Sequence, residues 1–152
     1  MSVEDKLKEL GLALPEAPKP VAAYIPAKRV GDLVFVSGQI PLKEGKIAYQ
    51  GKVGAERTVE EGYEAARLCA LNALAALKAL VGSLESVEIV QVRGYVNCTP
   101  DFGNHPEVIN GASELLVELF GERGQHARAA VGVSGLPRDA TVEVELVARV
   151  LP

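Results

Sequence analysis

A chain of 152 residues that is 48% hydrophobic has the size of one ordinary domain and can bury a single continuous core. Sixteen basic residues against twenty acidic ones leave a net charge of -4 with no dense Lys/Arg run, so the electrostatic footprint of extended nucleic-acid contact is missing. Met1 to Leu14 alternates charged and apolar residues, which argues against a signal peptide or a membrane span and makes a cytoplasmic location the expectation.

Val3, Leu7 and Leu10 share one helical face, with Ser2 as a cap and Gly11 as a stop, and predict a short opening helix. Three prolines between Leu14 and Pro20 then remove donors and force extended backbone, so residues 1–20 divide into a helix and a proline-rich strap ahead of the domain at 21–152. Two strands are expected at Ala22 to Arg29 and Leu33 to Val36, joined by a hairpin turn at Gly31-Asp32. Lys43 to Glu56 is polar and glycine-rich, a loop with at most one short strand.

Thr58-Val-Glu-Glu61 is a capping box, in which threonine hydroxyl and glutamate carboxylate satisfy amides that a helix start leaves without partners. The helix it opens runs to about Val81 before Gly82, with Tyr63, Ala66, Ala70, Ala73, Leu77 and Leu80 along its buried stripe. Val87 to Val96 alternates and reads as a third strand. Asn104-His-Pro-Glu107 supplies a cap, an early proline and an acid for a second helix, whose buried face is Ile109, Ala112, Leu116, Leu119 and Phe120 before Gly121. Two last strands, Ala127 to Val133 and Thr141 to Val150, flank a turn at Gly135 to Asp139 and complete the order ββαβαββ.

Two long helices cover only one face of a sheet of about five or six strands. The last strand alternates Val142, Val144, Leu146 and Ala148 with Glu143, Glu145, Val147 and Arg149, and Val34-Phe35-Val36 is apolar on both sides. The second face is therefore mixed, too rich in valine to lie wholly in water, and a closed cyclic oligomer would bury it against copies of itself.

Cys69 and Cys98 lack C-x-x-C or Cys/His ligand spacing, so neither a disulfide framework nor a zinc site is indicated, and both read as packing residues. His105 and His126 are equally isolated, and no metal is assigned to them.

Ser37-Gly38-Gln39-Ile40-Pro41 after a hairpin, together with His126-Ala-Arg-Ala-Ala-Val131 leading through Leu136-Pro137 to Val142-Glu-Val-Glu145, resembles the two signature regions of the RidA/YjgF family. The resemblance covers Ala22 to Val150. It implies an α+β fold like that of the small trimeric chorismate mutases, a homotrimer with a small-molecule pocket at each subunit junction. It also implies hydrolysis of reactive 2-imino and 2-enamino acids to 2-keto acids and ammonia without a cofactor.

Arg128 matches the family arginine, and its planar fork of donors suits a carboxylate held by paired charge-assisted bonds, each contributing about 1.5 to 3 kcal/mol. Such an arginine can also pair with Glu143 or Glu145 at a subunit junction. Glu143 matches the acidic residue of the last strand, where it would order a water for attack at C2 or serve only as an ion-pair partner. Tyr24 aligns with a pocket tyrosine able to hold a water or the imine nitrogen, although a lone strand tyrosine also packs. Ser37 offers a hydroxyl and Gly38 a backbone open to close approach, or the two form a plain tight corner. Asn110 aligns, with one residue of offset to Arg128, with an asparagine that lines the pocket from a neighbouring subunit.

Ala130 departs from the family pattern, since many members carry a cysteine two residues beyond the arginine. An iminium carbon is already electrophilic and water suffices to attack it, so the missing thiol leaves the expected reaction intact. A trimer that binds small carboxylates such as 2-keto acids without turnover is the alternative. An endoribonuclease, an activity attached to the family by name, fits poorly with the acidic charge and the lack of a paired-histidine arrangement. A chorismate mutase is a more remote option, with one candidate pocket arginine.

Overall fold

In the computed structural model, which describes residues 1–20 and 23–152, the expected element order is present and the elements are shorter or longer by a few residues than their sequence signals. Helix α1 (Val3–Glu9) is opened by a Ser2 capping box and buries Val3 and Leu7 in the common core. Strand β1 spans Ala27–Val30. The predicted start at Ala22 lies outside the described residues, and Ala23 to Pro26 form no strand; Pro26 has no N–H to give to a ladder, and its carbonyl instead accepts from the Ser37 amide at 2.8 Å.

Strand β2 (Leu33–Gln39) closes the hairpin at Gly31-Asp32, pairing Val30 with Leu33, and runs past its expected end at Val36 through an irregularity that leaves Ser37 and Gly38 out of register. The 43–56 stretch holds more structure than expected: β3 (Leu42–Lys43) and β4 (Lys46–Ile47) form a small hairpin of their own. Its tip has Gly45 at φ 78°, a left-handed turn position.

Helix α2 (Val59–Val81) starts at the Thr58 capping box and ends at Gly82 with φ 87°. Its stripe is wider than a single face, because α2 is sandwiched between the sheet and α3 (His105–Phe120) and buries most residues from Ala65 to Leu77. Leu80 is a correction: it is 45% exposed, lying in the last turn beyond the reach of the sheet. Tyr63 is half-buried, its hydroxyl donating to Glu114. Helix α3 buries the expected residues, but Asn104 makes no side-chain capping bond. At Gly111 the helix backbones meet so closely that an added Cβ would collide with the Tyr63 carbonyl.

Strands β5 (Val87–Asn97), β6 (Ala127–Val133) and β7 (Val142–Val150) complete, among the described residues, a five-stranded mixed sheet in the order β1-β2-β7-β5-β6, with β5 and β6 parallel and the other pairs antiparallel. Both helices lie on one face, over Val34, Val92, Val144 and Leu146. The opposite face carries Leu33, Phe35 and Val131, each 38% exposed or more, among charged residues. No described helix is long and apolar enough to cross a membrane.

Candidate functional site

Strand register decides where each candidate residue points. Arg128 is opposite Val92, a fully buried residue beneath the helices, so its side chain rises toward α3 at the sheet edge. There one guanidinium nitrogen donates to Asn110 Oδ1 at 2.8 Å and to Ser113 Oγ at 3.2 Å. Asn110 thus meets Arg128 within one chain, whereas the family resemblance implied an asparagine reaching the pocket from a neighbouring subunit. Both acceptors are neutral, and no carboxylate lies within ion-pair distance of Arg128 among the described residues. The side chain is exposed and keeps donors free from a fork of five N–H groups.

Two residues that the sequence left aside complete this edge. His126 places Nδ1 2.5 Å from the Gly124 carbonyl and Nε2 2.8 Å from Ser113 Oγ. A carbonyl only accepts, so Nδ1 carries the proton, Nε2 is the bare nitrogen, and the Ser113 hydroxyl donates to it. The serine oxygen is then fixed as an acceptor for Arg128. Burial first, and the Arg128 charge after it, hold the His126 pKa below its usual range despite the Gly124 bond.

Glu143 is opposite Tyr95 on the helix-free face, in the same strand pairings that put Glu145 opposite Arg93. Its carboxylate lies directly over Gly38, where any side chain would collide with Oε2. A side chain at position 38 would therefore displace the Glu143 carboxylate from this position. Burial chiefly, and Glu145 as the nearby like charge, raise the Glu143 pKa. Glu145 is occupied: it accepts from the Tyr95 hydroxyl at 2.5 Å and lies 3.7 Å from Arg93. Ser37 Oγ donates to the Ile25 carbonyl at 2.7 Å, which ties the bulge to the segment carrying Tyr24, a side chain 58% exposed.

The structure therefore brings the candidates together in two groups: Gly38 meets Glu143 on the helix-free face, with Ser37 beside Gly38 bonded to the Tyr24 segment, whereas Arg128 meets Asn110 of α3 on the other side of the sheet. A cleft of about 640 Å³ between Leu12, Tyr49 and Arg67 contains none of the six. No cluster of three or more His, Cys, Asp or Glu able to hold a metal occurs among the described residues.

The family model described as "YjgF/chorismate mutase-like, putative endoribonuclease" matches residues 4–150. The chain belongs to the YjgF family. Protein TCP17 of Trypanosoma cruzi is 41% identical to it, over 94% of this chain and 91% of that protein. The 2-iminobutanoate/2-iminopropanoate deaminase of Dermatophagoides farinae is 29% identical, over 88% and 91%. Among solved structures, protein Atu1372 of Agrobacterium tumefaciens superposes with a TM-score of 0.92 at 44% identity, covering 97% of this YjgF-family chain and 92% of that one. Escherichia coli TdcF, solved with bound serine, gives 0.61 at 27% identity, covering 88% and 93%.

Proposed function

We propose that this YjgF-family protein hydrolyses reactive 2-imino and 2-enamino acids to 2-keto acids and ammonia, at sites that neighbouring copies complete in a homotrimer. The observation that carries this reading is Arg128, an exposed guanidinium oriented by Asn110 and Ser113 yet without an anionic partner among the described residues. A small carboxylate supplies that anion, and two parallel charge-assisted bonds orient it.

The carboxylate on Arg128 leaves C2 of the imine facing the junction, where the next copy presents Glu143, Gly38 and Tyr24. Glu143, whose pKa is raised, exchanges a proton closer to neutral pH than an ordinary carboxylate. It takes a proton from water as the oxygen adds to C2, and the nitrogen of the resulting carbinolamine gains a proton. The C–N bond then breaks, ammonia leaves with its electron pair, and loss of the hydroxyl proton gives the keto acid. The deaminase relative and the serine bound to TdcF both support a site for small amino-acid-like carboxylates.

The serine complex also favours a second reading, a carboxylate binder without turnover. One experiment separates them. An imine is generated with an amino-acid oxidase, and keto-acid release is followed with the natural chain and with Arg128→Ala. The hydrolytic reading expects acceleration over the spontaneous rate that Arg128→Ala loses by tenfold or more; a spontaneous rate unchanged by the natural chain defeats it and leaves the binder.

A further inference from the structure

A guanidinium offers a carboxylate two edges with parallel N–H bonds, one made by Nη1 with Nη2 and the other by Nε with Nη2. In Arg128 the first is already occupied. Nη1 carries two hydrogens and meets two acceptors, Asn110 Oδ1 at 2.8 Å and Ser113 Oγ at 3.2 Å. These acceptors stand three residues apart on α3, so one face of the helix grips the nitrogen. Nε and Nη2 make no hydrogen bond or ion pair among the described residues. The serine grip is set from further back. Ser113 gives its single proton to His126 Nε2, because Nδ1 gives its own to the Gly124 carbonyl, and a hydroxyl that donates to the imidazole meets Arg128 as an acceptor. Gly124 is itself held by backbone contact: a Cβ there would collide with the Leu116 carbonyl of α3. The chain of bonds from Gly124 to Arg128 therefore has one polarity and a fixed starting point.

We propose that Ser113 and His126 are positioning residues of the Arg128 site: they hold Nη1 so that a ligand carboxylate docks on the Nε and Nη2 edge, and His126 acts on the ligand only through the serine. The inference rests on the carboxylate reading of Arg128 and deepens it by naming the atoms that take the ligand. An unheld guanidinium turns on its flexible stem and presents either edge, and each edge carries C2 of the bound acid to a different place. Holding Nη1 selects one edge and so fixes C2, which is what a reaction at that carbon requires of its binding group.

The test has a binding arm and a spectroscopic arm. In calorimetry with pyruvate, Ser113→Ala should weaken binding about tenfold, the scale of a lost hydrogen bond to a charged group, and Ser113→Thr, which keeps the hydroxyl, should restore most of it. His126→Leu should weaken binding about threefold or more on the same scale. The double variant should bind no worse than Ser113→Ala alone, since a residue that acts through the serine has nothing left to act on. Additive losses, or His126→Leu binding like the natural chain, would overturn the proposal. The second arm needs no ligand. In nitrogen NMR at about pH 8, above the ordinary histidine pKa of about 6.5, His126 should carry its proton on Nδ1 and leave Nε2 bare. Nη1 and Nη2 of Arg128 should give separate signals that merge in Ser113→Ala. A proton on Nε2, or merged signals in the natural chain, would overturn the proposal whether or not pyruvate binds. Both spectroscopic signs in a natural chain that fails to bind pyruvate would instead sink the carboxylate reading beneath it.

Discussion

Arg128 and Glu143 lie on opposite faces of one sheet, the first opposite Val92 beneath the helices and the second opposite Tyr95 on the helix-free side. No rotamer change brings two side chains through a hydrogen-bonded sheet. A site that uses both groups therefore takes them from different copies of the chain.

That geometry makes complementation the sharpest assay of the proposed assembly. Arg128→Ala and Glu143→Gln should each lose imine hydrolysis by tenfold or more when prepared alone. Mixed by unfolding and refolding together, random trimers place an intact arginine beside an intact glutamate at about a quarter of junctions. Activity should return to roughly that fraction. Recovery no greater than the sum of the separate variants would show that each chain builds its site alone.

His126 gives a pH signature. Its folded-state pKa is lowered, mainly by burial, so the folded chain binds fewer protons than the unfolded chain near the ordinary histidine pKa of about 6.5. Its contribution is present above that value and is lost as pH falls from there toward the lowered one. Thermal unfolding should show the natural chain losing stability over this interval more steeply than His126→Gln, a side chain that does not titrate. Parallel curves for the two proteins would refute the assignment. Protonation would also turn Nε2 into a donor, reversing the Ser113 bond that orients the serine oxygen toward Arg128.

The elements of the fold were legible because local signals governed them: the Thr58 box starts α2, Gly31-Asp32 turns the first hairpin, and alternation marks β7. The separation of the candidate residues onto two faces was not, since the parallel register of β5 and β6 that aims Arg128 toward α3 is a tertiary choice with no local code. His126 looked isolated because its partner Ser113 is thirteen residues away on a helix, outside any ligand or capping spacing. Leu80 had the right helical phase and the wrong axial position, which periodicity does not report.

Glu143 makes the opposite pH prediction. Its pKa is raised, so the folded chain binds more protons than the unfolded one as pH climbs past the ordinary glutamate value of about 4.3, and stability falls over that interval. In a single folded chain Glu143→Gln should raise the melting temperature at pH 7. The gain should shrink as pH falls from the raised value toward about 4.3 and be gone below it, where both states hold the proton. A melting temperature at pH 7 that is unchanged or lowered would contradict the unpaired placement over Gly38.

Gly111→Ala tests the helix layer. The added methyl would meet the Tyr63 backbone carbonyl, which no side-chain rotation relieves, so α2 and α3 must move apart. Overpacking of this kind costs about 3 kcal/mol. Urea unfolding should show that loss, whereas Gly135→Ala, where an added Cβ meets nothing, should leave the midpoint nearly unchanged.

The apolar part of the helix-free face supplies the last prediction. Leu33, Phe35 and Val131 are 38%, 46% and 45% exposed in the single chain, on the face that also carries Glu143. Because Phe35 lies outside the core, replacing it with aspartate removes little that holds one chain together, while a carboxylate buried without a partner between copies would be strongly unfavourable. Sedimentation should give the natural chain about three times the 16.1 kDa monomer mass, and Phe35→Asp a folded monomer with native circular dichroism. The monomer should also lose imine hydrolysis although every candidate residue is still present, because Arg128 would no longer face a neighbour's Glu143. A natural chain that sediments as a monomer and still accelerates hydrolysis would end the shared-site proposal.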